Sequence, residues 1–151
     1  MSTVIDSKVA ETDLRESVVM VRYYDIDAAN ARVEEVRPVL ESLRADRDEI
    51  AEAQRDLVRF RESNGSSDHA AELARKEQHV KEIVRRMELA VAQIEAWSVT
   101  LRDIGTGLID FPALVSGRPI WLCWRLGEGN IDWWHEFDSG FSSRRPIAEL
   151  F

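Results

Sequence analysis

The sequence predicts an α+β domain: a long antiparallel helical hairpin packed with a small antiparallel sheet. Three observations carry this. Apolar residues from about Asp27 to Ile104 recur at steps of three and four, which is helical spacing. That pattern breaks once, at "SNGSSD", residues 63–68, a turn signal that folds it into two helices. The stretch from Gly105 to Phe151 then gathers most of the Gly and Pro and four of the five Trp, and reads as short strands and turns.

In chain order, residues 1–17 read as a polar arm, and residues 18–151 as one domain with its hairpin at 27–104 and its β region at 105–151. "VVMVRYYD", Val18 to Asp25, is β-branched and aromatic, so it is expected to give the sheet an N-terminal strand. Helix one starts at Asp27 as N-cap. Its seam is Val33, Val36, Leu40, Leu43, Arg47, Ile50, Gln54 and Leu57, with Pro38 inside, where a missing N–H should kink the helix or mark a restart. Ser67 or Asp68 can cap helix two. Its seam is Leu73, Glu77, Val80, Val84, Met87, Val91, Ile94, Ser98 and Leu101. The pairs Glu72–Lys76, Glu77–Lys81 and Glu82–Arg86 have the favourable order. Narrow seams leave Val39, Val58, Phe60, Ile83 and Trp97 needing cover; the C-terminal sheet can cover Trp97, and a second chain in a homodimer through the helices can cover the rest.

In the β region, "GLIDFP" reads as a strand ending at Pro112, "VSGRP" as a turn, and "IWLCWRL" as a strand that alternates between faces. "GEGN", Gly127 to Asn130, reads as a hairpin turn before the return strand "IDWWHEF". A two- or four-residue turn sets Leu126 against Ile131, Trp124 against Trp133, Leu122 against His135, and Arg125 against Asp132. In that register Cys123 and His135 lie on opposite faces, and His135 faces the apolar side. A three-residue turn slips the pairing by one and makes them neighbours.

Composition excludes several functions. The net charge of -8 weighs against a duplex nucleic-acid binder. No apolar run approaches the roughly 20 residues of a membrane helix, and the N-terminus has no secretory h-region. A single Cys rules out an internal disulfide framework. A cytoplasmic location is the expectation.

The chemistry-bearing letters concentrate in "LCWRLGEGNIDWWHEFDSGFSSRRP", Leu122 to Pro146. His135 is the candidate acid or base, with Asp110 or Asp138 to hold it. Arg144 and Arg145 could clamp an anion. No metal or cofactor is expected, because Cys123 and His135 are placed on opposite faces. "GTG" at Gly105 to Gly107 lacks the third glycine of a dinucleotide loop.

These segments resemble a known family. "DAAN" at Asp27 to Asn30, "GLIDFP" at Gly107 to Pro112, "LCWRLGE" at Leu122 to Glu128, "WH" at Trp134 and His135, and "GFSSRRP" at Gly140 to Pro146 are similar in order and spacing to the bacterial family catalogued as domain of unknown function 2203. Ser143 stands where members often have Gly. The resemblance implies a fold-level identity and no mechanism. It also implies a polar set, Asn30, Asp110, Glu128, His135 and Arg144, as the candidate ligand-binding residues.

The expected function is a non-catalytic binding or scaffold protein with a Trp/His/Arg-lined pocket for a small anionic ligand or a peptide of a protein partner. The alternative is an enzyme with His135 as acid or base and Arg144 holding an anionic substrate. A metal site of Cys123, His135 and a carboxylate comes last, since it needs the slipped register.

Overall fold

The computed structural model of the chain describes residues 22–63 and 68–150. Two long helices, α1 (Ile26–Glu62) and α2 (His69–Ala96), form an antiparallel hairpin. A five-stranded antiparallel sheet follows: β1 (Thr100–Asp103), β2 (Leu108–Val115), β3 (Arg118–Arg125), β4 (Trp133–Glu136) and β5 (Arg145–Pro146), adjacent in chain order. Short 3-10 turns at Phe141–Ser143 and Ile147–Leu150 flank β5. Among the described residues, no helix is long and apolar enough to cross a membrane.

The cap of α1 is Asp25, not Asp27. Its carboxylate accepts from the Ala28 N–H at 2.7 Å, the usual N-cap bond. Asp27 instead supplies negative charge to the first turn. The helix runs through Pro38 as one element, with no restart. Pro38 points outward, while its neighbours Val36 and Leu40 are fully buried. Asp68 stands at the start of α2; Ser67 lies outside the described residues.

The seam of α2 differs from the expected one. Ile83 is fully buried and Val84 is exposed, so the inward step after Val80 is three residues and not four. The helix also stops sooner. Trp97 caps it, Ser98 takes a positive φ of 61°, and the chain turns into β1. Ser98 and Leu101 are therefore not helical; Leu101 belongs to β1 and packs on the core from there. The β-branched run Val99–Thr100 favours the strand that helical spacing had concealed.

Polar residues zip the outer end of the hairpin. Arg61 pairs with Glu77, Lys76 with Asp56, and Arg86 with Asp46 and Glu49, all across the two helices. Of the expected pairs, Glu72–Lys76 forms, at 3.8 Å; Glu77 and Arg86 turn to the other helix instead. Trp97 packs on the core, as expected of a residue the sheet covers; of the four positions left for a second chain, Val39 packs on the core, Phe60 stacks on His69, Ile83 is buried, and Val58 is exposed.

The expected N-terminal strand lies largely outside the described residues. Arg22 makes an isolated bridge, and its N–H donates to Ser98 Oγ. Tyr24 ties this segment down. Its N–H donates to the Pro112 carbonyl, its hydroxyl donates to the Trp97 carbonyl, and its ring meets Phe111 edge-on.

One face of the sheet packs on the helices. Ile109, Phe111, Ala113, Ile120, Leu122, Trp124 and Trp134 all point there, against Val33, Val36, Leu40, Leu43 and Ile94. Each such aliphatic side chain contributes about 1.5–3 kcal/mol on burial. The β2–β3 hairpin closes through Ser116 and Gly117, with φ of 51° and 78°. Positive φ at both central residues is what a two-residue turn of matching twist requires.

The β3–β4 register is the slipped one. Leu122 pairs with Trp134, Cys123 with Trp133, and Trp121 with His135. The expected pairs Trp124–Trp133 and Leu122–His135 do not form. The cause is the connection, which is no tight turn. Ile131 leaves the sheet and is buried, its N–H donating to Asn30 Oδ1 at 2.7 Å, while Trp124 Nε1 donates to the Gly129 carbonyl. Strand pairing resumes only at Trp133. A shift of one residue exchanges faces, so Trp134 enters the core, and Cys123 and His135 share the other face.

Candidate ligand site

The outer face of the sheet carries the residues that alternation turns away from the helices. Asp110 on β2 is the direct partner of Cys123 on β3, and Cys123 is the partner of Trp133 on β4. One row on, Pro112, Trp121 and His135 are aligned. The His135 ring reaches diagonally back over Cys123, and its Nε2 lies 3.0 Å from Asp110 Oδ2. Asp110, Cys123 and His135 are buried at 2%, 1% and 1% exposure. Their Oδ, Sγ and imidazole N atoms all lie within 4.8 Å of one another.

Such a polar group is costly to bury unless bonded, and most of its bonding is accounted for. His135 Nδ1 lies 2.9 Å from the Glu136 carbonyl, which can only accept, so Nδ1 carries the hydrogen. Arg102 Nε donates to Asp110 Oδ2 at 2.8 Å. Among the described residues, Asp110 Oδ1 is buried with no hydrogen-bond partner. Burial, then the charge of Asp110 and the thiol's hydrogen bonding to that carboxylate, push the Cys123 thiol far above the ordinary thiol range, so it remains S–H.

The residues after β4 fold over this face. Phe137, Asp138, Ser139, Gly140 and Phe141 form a strap that borders, with Arg102 and Leu108, a half-open cavity of about 380 Å³ floored by Asp110 and Cys123. The strap is anchored at its near end. Phe137 stacks on Trp121 at 4.4 Å, Trp121 Nε1 donates to the Phe137 carbonyl, and Ser139 N donates to the Glu136 carbonyl. Arg102 lies over the other side of Trp121, its guanidinium 4.9 Å from the ring centroid.

Arg144 and Glu128 brace the same face. Arg144 Nη2 donates to Glu128 Oε2 at 2.6 Å, and Glu128 Oε1 accepts from the Arg125 N–H. The guanidinium lies between the rings of Trp133 (4.8 Å) and Phe141 (4.5 Å), and its side chain is 8% exposed. Arg145 is exposed and pairs with Glu149.

Of the five residues expected to bind ligand, the structure gathers Asp110 and His135 at one point and sets the Arg144–Glu128 pair on the same face. It separates Asn30, which lies on the helical side and is committed to the Ile131 N–H. The partner of His135 is Asp110; Asp138 lies on the exposed strap at the cavity's edge. Sequence reasoning missed Arg102, because its segment reads as the end of a helix. It also missed Phe137 and Phe141. The repeated aromatic spacing "FDSGF" around small residues is the signal that could have marked a strap.

The architecture is that of an α+β protein in which a helical hairpin supports a five-stranded antiparallel sheet, with its polar cluster on the face away from the helices. The chain belongs to the family described as uncharacterized conserved protein (DUF2203), whose model matches residues 22–147. No curated protein and no solved structure matches it.

Proposed function

We propose that the chain is a non-catalytic binding protein whose ligand site is the cavity between the outer sheet face and the strap 137–141. The observation that carries this is Asp110 Oδ1, a buried carboxylate oxygen without a hydrogen-bond partner among the described residues, on a residue that floors a half-open cavity. Buried polar atoms are rarely left so, and a ligand donor is the usual remedy. The walls combine apolar Leu108, Phe137 and Phe141 with polar Arg102, Asp138 and Ser139. The combination suits a small ligand with a cationic or hydrogen-bond-donating head.

For the anionic ligand expected from Arg144, Nη2 is already bonded to Glu128 and the guanidinium lies against two rings, which leaves the buried Nε, without a partner among the described residues, as a remaining donor. Acid–base catalysis by His135 is weakened: one ring nitrogen is held by a backbone carbonyl and the other by Asp110. A relay in which histidine bridges thiol and carboxylate through opposite nitrogens is not available when the carboxylate faces Nε2 and Nδ1 is bonded elsewhere. Self-association through the helices keeps Val58, Val84 and Leu89 as its exposed apolar residues and plays no part in this reading. A reducing, cytoplasmic location belongs to the proposal, because a site floored by a thiol needs that thiol kept reduced.

The test is ligand-observed NMR with benzamidine and benzylamine against benzoate. The cationic pair should bind the wild type and lose binding in Asp110→Asn. Binding of benzoate alone, abolished by Arg144→Ala, would overturn the reading in favour of an anion site.

A further inference from the structure

We infer that the natural ligand of this cavity is a single transition-metal ion, zinc or a zinc-like divalent cation, held by Asp110, Cys123 and His135 with a fourth position open to the cavity. The inference rests on the reading of the cavity as a ligand site and names what fills it.

The donor set comes first. A carboxylate, a thiol sulfur and an imidazole nitrogen converge from three adjacent strands, each on a rigid backbone position and each almost wholly buried. Mixed O, S and N donors suit zinc and its neighbours, whereas Mg²⁺ and Ca²⁺ prefer all-oxygen shells. With metal–ligand bonds of about 2.0–2.3 Å, tetrahedral ligands lie about 3–4 Å apart. The three donors fall within 4.8 Å of one another, so closure asks for a shift of under about 1 Å.

Two further observations point the same way. His135 Nδ1 donates to the Glu136 carbonyl, which fixes the ring and aims Nε2 at the other two donors. That arrangement of one nitrogen bonded to a carbonyl and the other free to coordinate recurs around protein-bound metals. Asp110 likewise has one oxygen held by Arg102 and the other, Oδ1, without a partner. Arg102 orients the carboxylate from outside, and its positive charge is outweighed by a carboxylate and a thiolate once the ion binds.

The proton balance is simple. Coordination replaces the hydrogen on Cys123 sulfur and the hydrogen shared between His135 Nε2 and Asp110, and both leave to solvent. Nothing is oxidised or reduced. Three protein ligands with the fourth position facing a half-open cavity of about 380 Å³ is the form of site that retains water or takes a further ligand atom, not the closed four-ligand form of a purely structural zinc.

A competing cation sink exists and must be controlled. A surface depression on the hairpin holds Glu49, Glu52, Asp56, Glu72 and His79 beside Arg59, Arg75 and Lys76, and its acids offer cations a loose surface site.

The experiment uses the full chain, reduced and chelator-treated, titrated with Co²⁺ and then Zn²⁺. One equivalent of Co²⁺ should bring visible d–d bands and a near-ultraviolet thiolate-to-cobalt band, both displaced by Zn²⁺. The thiolate band should vanish in Cys123→Ser. Affinity should fall at least about 100-fold in His135→Gln, beyond the 10–100-fold typical of losing a group that only supports a ligand. Zn²⁺ should also raise the unfolding temperature of the wild type, reversibly on adding chelator; the wild-type thiolate-to-cobalt band assigns the ion to Cys123, the single cysteine, even if a variant fails to fold. Cobalt bound without a thiolate band, or equally well by Cys123→Ser, places the ion elsewhere and overturns the inference. So does the lack of both binding and thermal shift. In that case, benzamidine binding lost in Asp110→Asn would leave the cavity as an organic-cation site; its failure too would remove both readings.

Discussion

Asp110 and His135 are joined across an intervening strand, Oδ2 to Nε2 at 3.0 Å, with Cys123 beneath the bridge. The bond links β2 to β4 through side chains where the backbone ladder cannot, and Arg102 extends it to β1. Removing Asp110 leaves the Arg102 Nε–H without its acceptor and the buried His135 Nε2 without its partner. Asp110→Ala is expected to destabilise the fold by about 3–5 kcal/mol, the range for breaking a buried charged pair. Arg102→Ala should cost clearly less, because the 41%-exposed guanidinium is on the solvent side of the bond. Urea unfolding of the chelator-treated variants checks the order. Equal losses would mean that Arg102, not His135, is the partner that matters to Asp110.

The Cys123 thiol gives a pH signature. Burial and Asp110 raise its pKa in the folded state, whereas the unfolded thiol titrates near ~8.5. Below that value both states hold the proton and the group contributes no pH slope. Above it the unfolded state releases a proton that the native state keeps, so stability falls as pH rises, by at most about 1.4 kcal/mol per pH unit. Metal-free wild type should lose stability between about pH 8.5 and 10, and Cys123→Ala should remove that component. Iodoacetamide at pH 9 should label the native thiol only at the rate of unfolding. Fast labelling would mean an accessible thiolate, and would place Cys123 among reactive cysteines.

The hairpin was legible because helical periodicity is a local signal, written in Val33, Val36, Leu40, Leu43 and Ile94. The slipped register was not, because it depends on a contact 101 residues apart in sequence, from Asn30 to Ile131. Composition marked "GEGN" as a tight turn. Nothing local says that Ile131 is drawn out of the strand by a helix. With the register went the site: Asp110, Glu128, His135 and Arg144 were individually visible as polar letters in an apolar region, but their grouping follows from which face each one takes. Arg102 was hidden by Leu101, whose spacing from Ile94 fits a helix as well as it fits the strand that forms.

Asn30 therefore carries a prediction of its own. Its side-chain oxygen satisfies the buried Ile131 N–H at 2.7 Å and holds the loop that sets the register. Asn30→Ala should cost about 1–3 kcal/mol, the penalty of an orphaned buried donor. Asn30→Asp, which keeps an acceptor, should cost less. Because the contact is on the helical side, neither change should abolish binding at the outer face in the folded protein. A ligand titration beside the unfolding curve separates the two, and direct loss of ligand contact in Asn30→Asp would return Asn30 to the site.

Arg144 tests whether shape or charge matters at its position. The guanidinium is bonded to Glu128 and enclosed by Trp133 and Phe141. A lysine ammonium keeps the charge but has neither the flat surface nor the forked donors. Arg144→Lys should therefore behave nearly as Arg144→Met does in unfolding measurements, within about 0.5 kcal/mol, the usual spread for changes without a specific mechanism. Tryptophan emission should move to longer wavelength in both as Trp133 gains water. Recovery of wild-type stability by lysine would show that the charge alone is required.

Gly107 sets the entry to β2, and its constraint has two separable parts. Its φ is +66°, and a Cβ built there would meet Leu126 Cγ at 2.5 Å. The first part is backbone strain, about 1 kcal/mol for a side chain in the left-handed region. The second is overpacking against Leu126, about 1–3 kcal/mol. Gly107→Ala should thus destabilise by about 2–4 kcal/mol in sum. In a double-mutant cycle with Leu126→Ala, the overpacking part should disappear and the strain should remain, giving a coupling energy of favourable sign. The Leu126 N–H also donates to the Gly107 carbonyl, so the two residues share a backbone bond that neither substitution removes. A coupling near zero would mean that Leu126 simply turns away, and that strain alone selects glycine at this position.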